Sequence, residues 1–153
     1  MNKTSFLLLT AISITVTSFA QSTEDSVKQV VNNLFIGMKA SNGAMIAAAF
    51  ADSAVLQTIS RDKPSGKIGV RNESVKNFAT SVSTLAVNAA DERITFNSVK
   101  IDAALASVWT PYHFYFNGKF SHCGVNSFQM VRINGLWKIQ YLIDTRRKDH
   151  CQD

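Results

Sequence analysis

Val27, Val30, Val31, Leu34, Phe35 and Met38 recur at steps of three and four residues, the period of a helix with one buried face. Ser22 or Thr23 can cap that helix, and Glu24 and Asp25 put negative charge in its first turn, where the helix dipole favours it. Ser41-Asn42-Gly43 ends it, and the small residues from Ala44 to Phe50 predict a short second helix. Ala54 to Ile59 reads as a strand, and residues 61–69, with one Pro and two Gly, read as a loop. Val75, Phe78, Ala79, Val82 and Leu85 restore the helical period and predict a third helix over about 70–86.

From Arg93 the period becomes two, β-branched and aromatic residues dominate, and Asn117-Gly118 and Asn134-Gly135 are signatures of type I′ hairpins. Strands are expected over about 92–101, 103–116, 119–132 and 136–147. Helices followed by an antiparallel meander make an α+β domain. Centring the hairpins on the two Asn-Gly pairs makes facing residues sum to 235 and 269, so His113 faces His122. One face then collects Trp109, His113, Tyr115, Phe120, His122, Asn126, Phe128, Met130, Trp137, Ile139, Tyr141 and Ile143, and as the richer apolar set it is expected to meet the helices. The other holds Thr110, Tyr112, Phe114, Phe116, Cys123, Val125, Gln129, Val131, Gln140, Leu142, Asp144 and Arg146. Its aromatics exceed what a solvated face carries and predict a homodimer contact through the outer sheet. A bulge near Pro111 would shift the register by one and exchange the faces.

The N-terminus changes how much of the chain folds. Lys3, the apolar run from Phe6 to Val16 and the small residues around Ala20 read as a signal peptide over 1–20, with a mature domain over 21–153 that is exported to the periplasm or secreted. A membrane anchor needs about 20 apolar residues, whereas Phe6 to Phe19 is shorter and carries hydroxyls. No later segment is long and apolar enough to span a bilayer. In an oxidising compartment Cys123 and Cys151 are expected to form a disulfide. The alternative is a metal set with the preceding His122 and His150, but neighbouring strand residues point to opposite faces. The net charge of +5 is scattered along the chain, which gives no footprint for nucleic acid.

The helix, the segment Phe50-Ala51-Asp52-Ser53-Ala54-Val55-Leu56, the Ser65-Gly66 turn and the closing Gly135-Leu136-Trp137-Lys138-Ile139 together resemble the nuclear transport factor 2-like superfamily. Within it the chain looks most like small bacterial SnoaL-like or lumazine-binding-like proteins. Val108-Trp109-Thr110-Pro111-Tyr112, Ser121-His122-Cys123-Gly124 and Asp144-Thr145-Arg146-Arg147 look like marks of one exported subgroup. The resemblance implies a cystatin-like cone of curved antiparallel sheet wrapped around N-terminal helices, with a pocket at its open end. Ketosteroid isomerase-like members carry a carboxylate base on the first strand, and the matching position here is Thr58. A threonine cannot accept a proton near neutral pH, so that mechanism does not carry over. Asp52, between helix and strand, reads as a cap or turn residue.

The acid–base candidates are therefore His113 and His122, whose imidazoles titrate near working pH. Trp109, His113, His122, Asn126 and Tyr141 are the expected pocket residues. Asp144 and Arg146 are placed on the opposite face, where they are expected to pair with each other or with a partner chain and not to act in catalysis. No phosphate loop, nucleophile triad or spaced ligand set supports a cofactor or metal. Three functions follow: an exported module that binds a small hydrophobic or aromatic ligand, a lyase, isomerase or hydrolase with His113 or His122 as general base, or a structural or subunit-interaction role through the aromatic outer face.

Overall fold

A computed structural model describes residues 22–62 and 64–151, so the expected signal peptide lies outside the described residues. The first helix, α1 (Thr23–Lys39), is capped by Ser22, whose Oγ accepts the Asp25 amide at 3.0 Å. It buries Val27, Val31, Leu34, Phe35 and Met38, the stripe its period predicts. Asn42 caps α2 (Gly43–Ala49), and β1 (Phe50–Arg61) follows without a loop. β2 (Ile68–Glu73) then returns antiparallel along β1 as an edge strand. Only after it does α3 (Val75–Ser83) begin, capped by Ser74 through the Asn77 amide at 3.1 Å. The third helix is thus shorter than the sequence suggests. Residues 70–73 pair with β1 because the exposed edge lets Val70 and Arg71 alternate along a ladder with no core stripe to hold them helical.

The expected first meander strand is two strands, β3 (Ala90–Ile94) and β4 (Ser98–Asp102), and both pair with β5 (Leu105–Phe116). Phe96 packs against the core at the break. β6 (Lys119–Ile133) and β7 (Leu136–Thr145) complete the sheet. Both Asn-Gly turns hold positive φ at both residues, as type I′ hairpins require.

The strand order is β2-β1-β7-β6-β5-β3, with β4 also on β5. The sheet is mixed and not wholly antiparallel, because the chain crosses from β1 through α3 and the meander before β7 returns parallel beside β1. The three helices pack on one side of it, where Phe128, Met130, Ile139, Leu34, Ile46, Val27 and Val31 are fully buried. Phe35 meets Phe128 edge to face with ring centroids 6.3 Å apart. Hydrophobic burial over this layer is the main stabilising contribution.

Two bulges set which side chains face inward. Phe114 pairs with His122 but Tyr115 pairs with Phe120, so Ser121 is an extra residue in β6. Gln129 pairs with Tyr141 but Met130 pairs with Ile139, so Gln140 is an extra residue in β7. Uniform pairing therefore holds only beside the turns. Beyond Ser121, His113 faces Cys123 and not His122. Thr110, Tyr112, Phe114, Leu142 and Asp144 turn toward the helices, while Trp109 is left 46% exposed. The exchange of faces is real, but its cause lies at Ser121 and not near Pro111.

Cys123 and Cys151 are joined, with Cα atoms 5.7 Å apart. The disulfide takes both sulfurs out of the alternative metal set. It extends a bridge in which Cys123 and Arg147 exchange two backbone hydrogen bonds of 2.9 Å, so the end of β7 is held to β6 covalently. With the half-cystines 28 positions apart in sequence, opening the loop should lower stability by on the order of 3 kcal/mol in the chain-entropy description. Urea unfolding of the oxidised chain and of a Cys123→Ser, Cys151→Ser double variant measures this. Equal midpoints would contradict it.

Candidate functional site

A chamber of about 210 Å³ lies between the helices and the sheet. Leu34, Phe35 and Met38 from α1, Phe78 and Val82 from α3, and Leu85 beyond it make one wall, and Leu56, Phe114 and Leu142 face them from the sheet. The opposite end is polar. It is formed by Thr58 on β1, Arg71 and Glu73 on β2, Glu92 on β3, His122 and Asn126 on β6, Asp144 on β7 and Arg146 just beyond it.

Asp144 organises this end. Its Oδ1 accepts the Thr58 hydroxyl at 2.5 Å, and its Oδ2 accepts Arg146 Nε at 2.9 Å and the Tyr112 hydroxyl at 3.2 Å. Tyr112 Oη also lies 2.9 Å from the Thr145 carbonyl, and Arg146 donates through a second nitrogen to Thr58 Oγ1 at 3.2 Å. Tyr112 can lie across β6 because Gly124 stands opposite it in the register. A Cβ at Gly124 would collide with the Thr145 carbonyl and crowd the Tyr112 ring. Burial, helped by Glu92 and Asp144, pushes the Tyr112 phenol well above its ordinary range, so it remains a hydrogen-bond donor.

Glu92 has much weaker support. One hydrogen bond reaches it, from Asn126 Nδ2 to Oε1 at 2.8 Å. Although part of the residue keeps exposed surface at the sheet edge, its carboxyl is enclosed. Burial raises it from the ordinary 4.5 to about 7, the Asn126 hydrogen bond opposes that rise, nearby Asp144 adds to it, and the charge of Arg146, acting without a hydrogen bond, opposes it. This group can therefore give or take a proton at neutral pH.

His122 packs against Phe114 with centroids 5.0 Å apart and the rings tilted by 40°, and has Ser121 Oγ 3.1 Å from Nδ1. Burial first, then the charge of Arg146, lowers its pKa, which leaves the ring neutral at pH 7. Of the residues expected to line a pocket, His122 and Asn126 do line the chamber. Trp109, His113 and Tyr141 lie on the outer face: Trp109 pairs with Ser127, His113 packs on Phe120, and the Tyr141 hydroxyl donates to Gln57 at 2.6 Å. Asp144 and Arg146, expected outside, are inside. Glu92, Tyr112 and Thr58 were missed as a group. Their one sequence signal is two-residue spacing with apolar neighbours, Tyr112 with Phe114 and Asp144 with Leu142, and reading it requires the bulge. Among the described residues no group of three or more His, Cys, Asp or Glu is placed to hold a metal ion.

No family model matches the chain, and no curated protein matches it. Solved structures do. A nuclear transport factor 2-like protein of unknown function from Shewanella baltica superposes with a TM-score of 0.66 at 12% identity, over 82% of this chain and 94% of that one. The chain has the nuclear transport factor 2-like fold. A domain of unknown function from Nostoc punctiforme, with a cystatin-like fold, matches with a TM-score of 0.65 at 15% identity, over 85% of this chain and 82% of that one. A nuclear transport factor 2-like protein of unknown function from Methylobacillus flagellatus gives 0.62 at 17% identity, over 85% and 98%. These identities carry the fold and nothing of the chemistry. Within this nuclear transport factor 2-like cone, Thr58 holds the position where the resemblance expects a base, and it spends its hydroxyl on Asp144.

The folded chain keeps the Glu92 proton at pH values where an unfolded glutamate has released it. The stability this group contributes is full below about 4.5 and falls as pH rises to about 7. Glu92→Gln should therefore be more stable than the parent at about pH 8 and vary less between about pH 5 and pH 8. Urea unfolding at both pH values checks it, and a parent chain that gains stability relative to the variant over that range would contradict the assignment.

Proposed function

We propose that this chain is a small-molecule-binding module, exported and used as a homodimer, whose ligand occupies the chamber with its apolar body against α1 and α3. The observation that carries this is a cavity of about 210 Å³ between the helices and the sheet, with apolar walls and one polar end. A body of that size inserted there removes apolar surface from water on both sides. The polar end would fix its orientation.

One observation supports the setting: the Cys123–Cys151 disulfide suits an oxidising compartment. The outer sheet face exposes Val55, Trp109 and Phe120, a patch that suits a second copy.

An acid–base enzyme is the second reading, favoured by the near-neutral carboxyl of Glu92. Its general base would be Glu92, with His122 as a neutral neighbour; His113 is on the far side of the sheet. In that case Glu92→Gln would retain ligand and lose turnover.

Thermal-shift screening of metabolites should find compounds that raise the melting temperature. Leu85→Trp, which fills the apolar wall, should abolish the shift while the variant stays folded by circular dichroism. Ligands that stabilise both chains equally would place binding elsewhere. For the dimer, sedimentation of the parent should give twice the monomer mass, and Trp109→Glu should give the monomer. A parent that sediments as a monomer would remove that assembly.

A further inference from the structure

Charges inside the chamber do not balance. Asp144 is matched by Arg146, Thr58 and Tyr112. Glu92 receives only the neutral amide of Asn126, and among the described residues no other hydrogen bond or ion pair reaches it. The groups that face it can be named strand by strand. β7 contributes Asp144, and just past its end Arg146 is hydrogen-bonded to Asp144 and reaches Glu92 only through space; β6 contributes His122; β5 contributes Tyr112, a donor committed to Asp144 and the Thr145 carbonyl. β2 adds one cation and one anion at the rim, Arg71 and Glu73, while the lining from α1 and α3 is apolar. When Glu92 is ionised, the inner chamber holds two carboxylates against one guanidinium. It lacks one positive charge that also donates a hydrogen bond.

We propose that the chamber selects a ligand with a basic nitrogen on a compact apolar body, the protonated nitrogen pairing with the Glu92 carboxylate beside Asn126. This rests on the chamber being a ligand site and names the class of ligand it takes. An enclosed carboxylate without a cation and an enclosed ammonium without an anion are each costly, and placing one against the other removes both costs. A ligand carboxylate at the same place would add a third negative group. A ligand hydroxyl would donate to Glu92 but leave the charge unmatched.

Proton linkage follows. An alkylammonium keeps its proton to about pH 10, whereas Glu92 must give up its own to pair with it. Binding an amine therefore releases a proton below neutral pH, and its affinity rises with pH until Glu92 is already ionised.

Phenethylamine, 2-phenylethanol and 3-phenylpropionate share a ring and a short linker and differ in the polar group, so they serve as probes. Titration calorimetry at about pH 6 and pH 8, in two buffers of different ionisation enthalpy, reads affinity and proton release together. Phenethylamine should bind tightest of the three. Its affinity should rise about tenfold from pH 6 to pH 8, the ratio of ionised carboxyl expected for a group titrating near 7, with close to one proton released at the lower pH. In Glu92→Gln the pH dependence should vanish and amine affinity at pH 8 should fall at least tenfold, while affinity for the alcohol is kept. Equal binding of amine and alcohol, or tighter binding of the carboxylate, would overturn the amine class and leave the chamber standing. If none of the probes binds the parent, both the class and the chamber reading fall.

Discussion

The site depends on one buried carboxylate. Asp144 accepts from Thr58 on the neighbouring β1, from Arg146 just past the end of β7, and from Tyr112 on β5, which reaches it across β6 at Gly124, where only a residue without a side chain fits. Four strands are therefore held in one arrangement at the polar end of the chamber. An isolated buried carboxylate would be expensive. With three donors it becomes a fixed point, and removing any one donor leaves the others aimed at an unsatisfied charge. The Cys123–Cys151 bond acts on the same place, tying the residues that follow Asp144 and Arg146 to β6.

Two carboxylates a short distance apart end up with opposite characters. Asp144 has a guanidinium and two hydroxyls and serves the structure. Glu92 has one amide and an enclosed position, and it stays close to the point where proton gain and loss balance. Environment, not residue type, separates the roles. His122 illustrates the same rule in reverse, since burial and the nearby arginine hold it neutral and remove it as the charged group of the site.

Much of the fold was legible in the chain. The α1 stripe, the Asn-Gly turns, the β5–β7 meander and the disulfide all express local periods, turn chemistry or a single pairing option. The site was not, because side-chain direction in a strand has period two and one inserted residue inverts everything beyond it. Ser121 and Gln140 are such residues. Between the Asn134-Gly135 turn and the two bulges the reading of faces holds, as at Phe128, Met130 and Ile139. Past the bulges it inverts, which moved Trp109, His113 and Tyr141 out of the expected pocket and brought Tyr112, Asp144 and Arg146 in. β2 escaped notice for another reason: as an exposed edge strand it has no buried face to leave a pattern.

The claim most exposed to test is that Asp144 and Tyr112 act as one unit across Gly124. A double-mutant cycle of Asp144→Asn and Tyr112→Phe, read by urea unfolding at neutral pH, isolates their coupling. For two buried groups sharing a hydrogen bond and common neighbours, a coupling of about 1–3 kcal/mol is expected, with the double variant less destabilised than the sum of the single ones. Additive effects would show that the two residues are held independently and that the polar end of the chamber is not organised by Asp144.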